Sequence, residues 1–152
     1  MAAKTYPAPR VSRMINELTV PVQFDVKQDP GAFLRYHSFW TPTVVLQDVE
    51  GGEYRRSVGP LNAEQFLAEL ALGYGLRWFN AGRFERSVEE LEKALEYTQH
   101  WPIRHAENLY YLAAARYEAT EDIEKLTSTW KEMQARYPGS EWDLKSRQLL
   151  VE

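Results

Sequence analysis

Apolar positions along the first sixty residues change period several times. In "PAPRVSRMINELT", Val11, Met14, Ile15 and Leu18 recur at helical spacing and predict a helix. "VPVQFDV" then alternates Val20, Val22, Phe24 and Val26, the pattern of a half-buried strand. In "DPGAFLRYHSFW", Asp29 suits an N-cap and Pro30 the first helical position, with Phe33, Leu34 and His37 turned wholly or partly inward. "TPTVVLQD" is apolar and β-branched and predicts a buried strand over Thr43–Gln47. Gly51 and Gly52 predict a hairpin turn into a further strand, Glu53–Val58.

From Asn62 onward the period is helical throughout. Leu67, Ala71, Tyr74 and Trp78 form a stripe at spacings of four, three and four. Phe84, Val88, Leu91, Ala94 and Leu95 mark a second helix, "AENLYYLAAARYEAT" a third, and Ile123, Leu126, Trp130 and Met133 a fourth. Ser140, with a capping box to Asp143, opens a fifth that runs over Ser140–Leu150 and closes the helical end. Trp78 and Trp130 are expected to be largely buried between paired helices. The chain therefore reads as α+β or α/β, with a sheet of about three strands in residues 1–62 and an all-α region in residues 63–152.

The helices repeat. Gly75, Trp78, Gly82, Phe84, Ser87, Leu91 and Ala94 align with Ala114, Tyr117, Glu121, Ile123, Leu126, Trp130 and Met133 at a constant offset of 39 residues. That is one helical-hairpin repeat of ~34 residues plus about five more. Small Gly75, Ser87 and Ala94 stand where two helices must touch, and large Trp78 and Phe84 where a hairpin must be filled. Residues 68–138 thus resemble tetratricopeptide repeats. In that family the first helix of each hairpin lines a groove for a peptide. Carried over, the positions are Leu72, Leu76, Phe79 and Asn80, then Asn108, Tyr111 and Ala115. The cationic clamp some members use for carboxylates has no match here, and burial beneath other parts of the chain is weighed equally with an open groove.

"FWTPTVVLQDVEGGEYRRSVGPLNAEQFLAEL" resembles the C-terminal half of a thioredoxin-like domain, and "TYPAPRVSRMINELTVPVQFDV" the end of the helix and the strand that precede it. The resemblance covers about residues 5–70, with Trp40-Thr41-Pro42-Thr43 its most specific part. It implies a cis proline at Pro42 and a loop in which the backbone of Thr41 meets an extended peptide. A proline that only shapes the turn is the more frequent alternative. The family's cysteine pair has no counterpart and would lie upstream of Met1, together with the central strand that separates the segments matching Val20–Val26 and Thr43–Gln47. The free side of Thr43–Gln47 is then expected to pair with Val20–Val26 or, by preference, with a second copy, giving a homodimer through the sheet edge.

Chemistry narrows this further. The 152 residues contain no cysteine, so no thiolate exists and no thiol-dependent disulfide reduction is expected. His100 and His105 flank "WPIR" with Glu107 nearby, but zinc sites use tighter pairs and more ligands; they and His37 read as solvated loop residues. "EELEKALE" and "EATEDIEK" read as solvated helix faces rather than acid–base pairs. No catalytic residue, metal or cofactor is assigned. The net charge of −4 gives no footprint for nucleic acid, and no apolar run is long enough for a membrane span. Cytoplasm is the default compartment. The expected function is a non-catalytic module that binds a protein or peptide partner. The alternative is the C-terminal portion of a thiol–disulfide oxidoreductase whose cysteine motif lies upstream.

Overall fold

The computed structural model describes residue 1 and residues 4–149, and Leu150, the last residue of the expected closing helix, lies outside them. The fold is mixed α and β with helix dominant. The chain divides into two compact units, Met1–Leu70 and Ala71–Glu152. The division falls inside one long helix rather than at its start.

The first unit opens with α1 (Pro9–Leu18) and α2 (Pro30–Arg35), both with proline in the first turn. Asp29 caps α2, its Oδ1 accepting the Ala32 N–H at 3.0 Å. Next come β1 (Thr43–Gln47) and β2 (Glu53–Val58), antiparallel, with Val45 opposite Arg56 and an irregularity at Leu46/Gln47. Asp48 Oδ1 accepts the N–H groups of Glu50 and Gly52 and so shapes the turn, while Gly51 takes φ 88°. The first turns of α3 (Ala63–Asn80) supply the core: Phe66, Leu67, Ala68 and Leu70 are buried with Val11 of α1 and Ala32 of α2. Tyr6 meets Phe66 edge-on at 5.4 Å, and Thr5 Oγ1 donates to the Leu61 carbonyl at 2.8 Å. A buried Arg55–Glu69 ion pair fastens β2 to α3. Removing either partner would strand a charge, which makes such pairs costly to break.

Two expectations for this unit are corrected. Val20–Val26 is not a strand; the sheet of the described residues has two strands, β1 and β2, rather than about three. Alternation of apolar residues says which face of a strand would be buried. It cannot supply the neighbouring strand whose N–H and C=O groups complete a ladder. Pro21 further removes one donor. The segment is irregular and ends in a turn at Asp25, with Phe24 packed on Tyr36 at 5.4 Å. Leu34 is 77% exposed, on a different side of the six-residue α2 from the buried Ala32, and His37 is exposed with φ 47° just after the helix ends.

The second unit contains the rest of α3, then α4 (Phe84–Thr98), α5 (Pro102–Thr120), α6 (Ile123–Arg136) and α7 (Glu141–Leu149). Helix α5 packs on both α4 and α6, and α7 closes against α5 and α6. The 39-residue offset is visible in the backbone: α4 begins at Phe84 and α6 at Ile123. The turn before each carries a left-handed residue at the matching position, Gly82 at φ 67° and Glu121 at φ 54°. Gly75 lies against Leu91, and the buried Ser87 hydroxyl donates to the Gly75 carbonyl at 3.0 Å, so small side chains permit the close approach of α3 to α4. Two apolar clusters result. Leu72, Leu76, Leu91, Leu112 and Ala115 form one; Ala106, Leu109, Ala113, Trp130, Met133 and Trp142 form the other. Trp130 is buried and its Nε1 donates to the Tyr110 carbonyl at 3.1 Å. Trp78 is half-buried, and its Nε1 is buried without a hydrogen-bond partner among the described residues.

At α7 the expected capping box takes a variant form. Ser140 Oγ accepts the Asp143 N–H at 3.1 Å, but the Asp143 carboxylate reaches back to the Gly139 N–H at 2.7 Å. It also accepts from Arg147 Nε at 2.6 Å. These bonds hold its pKa below the usual carboxylate value, the Gly139 bond contributing most.

Candidate functional site

In the first unit the Thr41–Pro42 peptide is cis and stands at the entrance to β1. The Pro42 carbonyl accepts the Gly59 N–H at 2.8 Å, closing the open end of the hairpin. Thr43 Oγ1 donates to the Trp40 carbonyl at 2.6 Å and tightens the loop ahead of the proline. Thr41 is exposed and Pro42 half-buried. Beside them in sequence, Phe39 is 75% and Trp40 62% exposed. Val20, Val22 and Leu34 add further exposed apolar surface to the same unit. β1 itself is uncharged and half-buried, and among the described residues it has a strand neighbour on one side only.

The groove positions separate. Leu72, Leu76, Asn108 and Ala115 are buried and line no surface, so at these four positions the chain takes the burial that the sequence weighed equally with an open groove. The reason is the turn of α5 and α3 that brings them face to face: Leu72, Leu76 and Ala115 share one apolar cluster. Phe79 and Tyr111 pack against that cluster, half-buried, with ring centroids 5.6 Å apart. Asn80 alone is exposed.

His105 is also corrected. It lies in α5 and is buried, not on a solvated loop; His100 and His37 are exposed. Its Nδ1 is 3.3 Å from Thr98 Oγ1, and Asn108 Nδ2 donates to the same hydroxyl at 3.2 Å. Its Nε2 is 3.3 Å from Arg136 Nη1. Burial first, and the Arg136 cation second, push its pKa down to about 4, so the ring is neutral at neutral pH. Periodicity gave no sign of this polar group, because "WPIRH" looks like a break: Pro102 breaks α4 but starts α5 at its first position. No three His, Cys, Asp or Glu among the described residues converge as metal ligands.

A second arrangement missed in the sequence lies on α3 and α4. The guanidinium of Arg77 sits 5.0 Å, and that of Arg86 4.5 Å, from the centre of the Trp78 ring. Tyr74 meets the same indole edge-on at 6.1 Å. Arg77 and Trp78 are neighbours in sequence, but no motif announces that Arg86 returns to them across the Gly82 turn.

Among the described residues no helix is long and apolar enough to cross a membrane. Compared with known proteins, the chain matches no family model, no curated protein and no solved structure.

Proposed function

We propose that this chain is a non-catalytic protein-interaction module, a thioredoxin-like unit followed by tetratricopeptide-like hairpins, and that its first partner is a second copy of itself. The observation that carries this reading is the state of β1. Its segment TVVLQ has no charge, a strand on one side only among the described residues, and exposed apolar side chains in the same unit. Apolar strand edges of this kind recruit other chains. The sequence of β1 also favours a two-fold partner. Antiparallel pairing about Val45 sets Val44 opposite Leu46 and Thr43 opposite Gln47, with no like charges opposed. The β2 edge, with Glu53, Arg55 and Arg56, offers no such neutral match. The cis Thr41–Pro42 bond fits the thioredoxin-like part of the reading, and the 39-residue repetition of α4 in α6 fits the tetratricopeptide-like part.

Amide exchange tests this directly. The N–H groups of Thr43–Gln47 that do not face β2 should become protected as protein concentration rises and lose protection on dilution. Exchange of those amides that stays fast at every concentration would refute the shared edge.

A further inference from the structure

We infer that the Arg77–Trp78–Arg86 face of α3 and α4 is a docking surface for an acidic segment of a partner protein. This goes beyond the reading above, because it stands on charge in the helical unit and not on the apolar strand edge of the first unit.

The argument begins with pairing. In a chain with 22 acidic and 18 basic side chains, carboxylates are in excess. Arg10, Arg55, Arg56, Arg104, Arg116 and Arg147 each hold one. Arg77 and Arg86 form no ion pair with any described residue, although α4 carries Glu85, Glu89, Glu90 and Glu92. Both instead come to one indole, at 5.0 and 4.5 Å, and Arg77 also lies 6.0 Å from the Tyr74 ring. Two like charges gathered at one ring repel each other, and the ring's electron-rich faces offset that only in part. A third cation, Arg83, follows on the connecting turn, its N–H bonded to the Trp78 carbonyl at 2.9 Å, and it too pairs with no described carboxylate.

The chemistry of these donors selects the ligand. A guanidinium held against an aromatic ring keeps its N–H edge free for bidentate contact with a carboxylate. Arg77 is half-buried and Arg86 exposed, so side-chain carboxylates on a flexible segment can reach both. With 22 acidic against 18 basic side chains the sequence offers no long basic track of the kind a phosphate backbone requires, whereas two or three carboxylates of a short segment suffice to engage Arg77, Arg83 and Arg86. The geometry therefore favours an acidic peptide over a polynucleotide.

The test uses the full chain and a fluorescein-labelled peptide of alternating glutamate and aspartate, followed by anisotropy. Binding should weaken about tenfold in the Arg77→Gln/Arg86→Gln variant, since each exposed charge contact carries a few-fold in affinity. It should stay within about twofold in the charge-matched Arg13→Gln/Arg35→Gln variant, whose changes lie in the first unit. A measurement on the unaltered protein guards against misfolding of the variants: bound peptide should shield Arg77 and Arg86, but not Arg13, from phenylglyoxal. The proposal is overturned by absence of peptide binding, by equal weakening in both variants, by labelling of Arg77 and Arg86 that the peptide does not change, or by oligothymidylate of the same charge binding as tightly.

Discussion

At position 75 a methyl group would stand 2.5 Å from Leu91 Cδ2 and 3.3 Å from the Leu91 N–H nitrogen. Leu91 is fully buried and has nowhere to retreat. Overpacking of this kind costs ~1–3 kcal/mol, while alanine in a helix regains up to ~1 kcal/mol over glycine. Gly75→Ala should therefore destabilise by about 1 kcal/mol in urea melts. Adding Leu91→Ala should relieve the clash, so that the double variant is milder than the sum of the two single ones by at least ~0.5 kcal/mol. Simple additivity would mean that α3 and α4 do not meet at this point. His105 supplies a pH dependence. The unfolded side chain takes a proton near pH 6.5, whereas the folded one waits until about pH 4. The neutral ring is thus part of the native state, and stability present above pH 6.5 is lost as the pH falls between those values. The loss attributable to His105 is at most about 3 kcal/mol. Urea midpoints from pH 7 to 4.5 should fall less steeply in His105→Gln than in the wild type, and parallel curves would assign the acid sensitivity elsewhere.

Among the elements, the turns at Gly82 and Glu121 make the same left-handed step with different residues. Glutamate there bears a steric penalty that glycine does not. Glu121→Gly should stabilise the second unit by about 0.5 kcal/mol after the extra freedom of the unfolded glycine is counted. A loss of stability would mean that the Glu121 side chain contributes more than its backbone costs. Here the sequence was legible: helices α3 to α7, the offset of 39 residues and the small residues at the α3–α4 contact all follow from local period and side-chain size. It was misleading at Val20–Val26, where the alternation is real but no strand lies beside it. It was also silent about which apolar positions would be covered. Leu72, Leu76 and Ala115 have the spacing of a groove, and only the packing of α5 against α3 and α4 turns them into core. Candidate-site residues on turns and helix ends fared worst, because Arg86, Trp78 and Arg77 meet only after the chain has folded back on itself.

For the whole molecule, the contrast between the two units carries the functional reading. The second buries Leu91, Leu112, Trp130 and Met133 in continuous clusters. The first leaves Val20, Val22, Leu34, Phe39 and Trp40 exposed, and among the described residues its sheet has two strands. A two-stranded sheet is marginal without further strands or a helix to cover it. Here α3 supplies part of that cover through the Arg55–Glu69 pair, and a second copy at β1 would supply more. Sedimentation velocity over the micromolar range, with a Val45→Pro variant alongside, tests this most directly. The account predicts a concentration-dependent dimer that the proline abolishes while the helical circular-dichroism signal is kept. A strict monomer at every concentration, or a dimer indifferent to the proline, would contradict it.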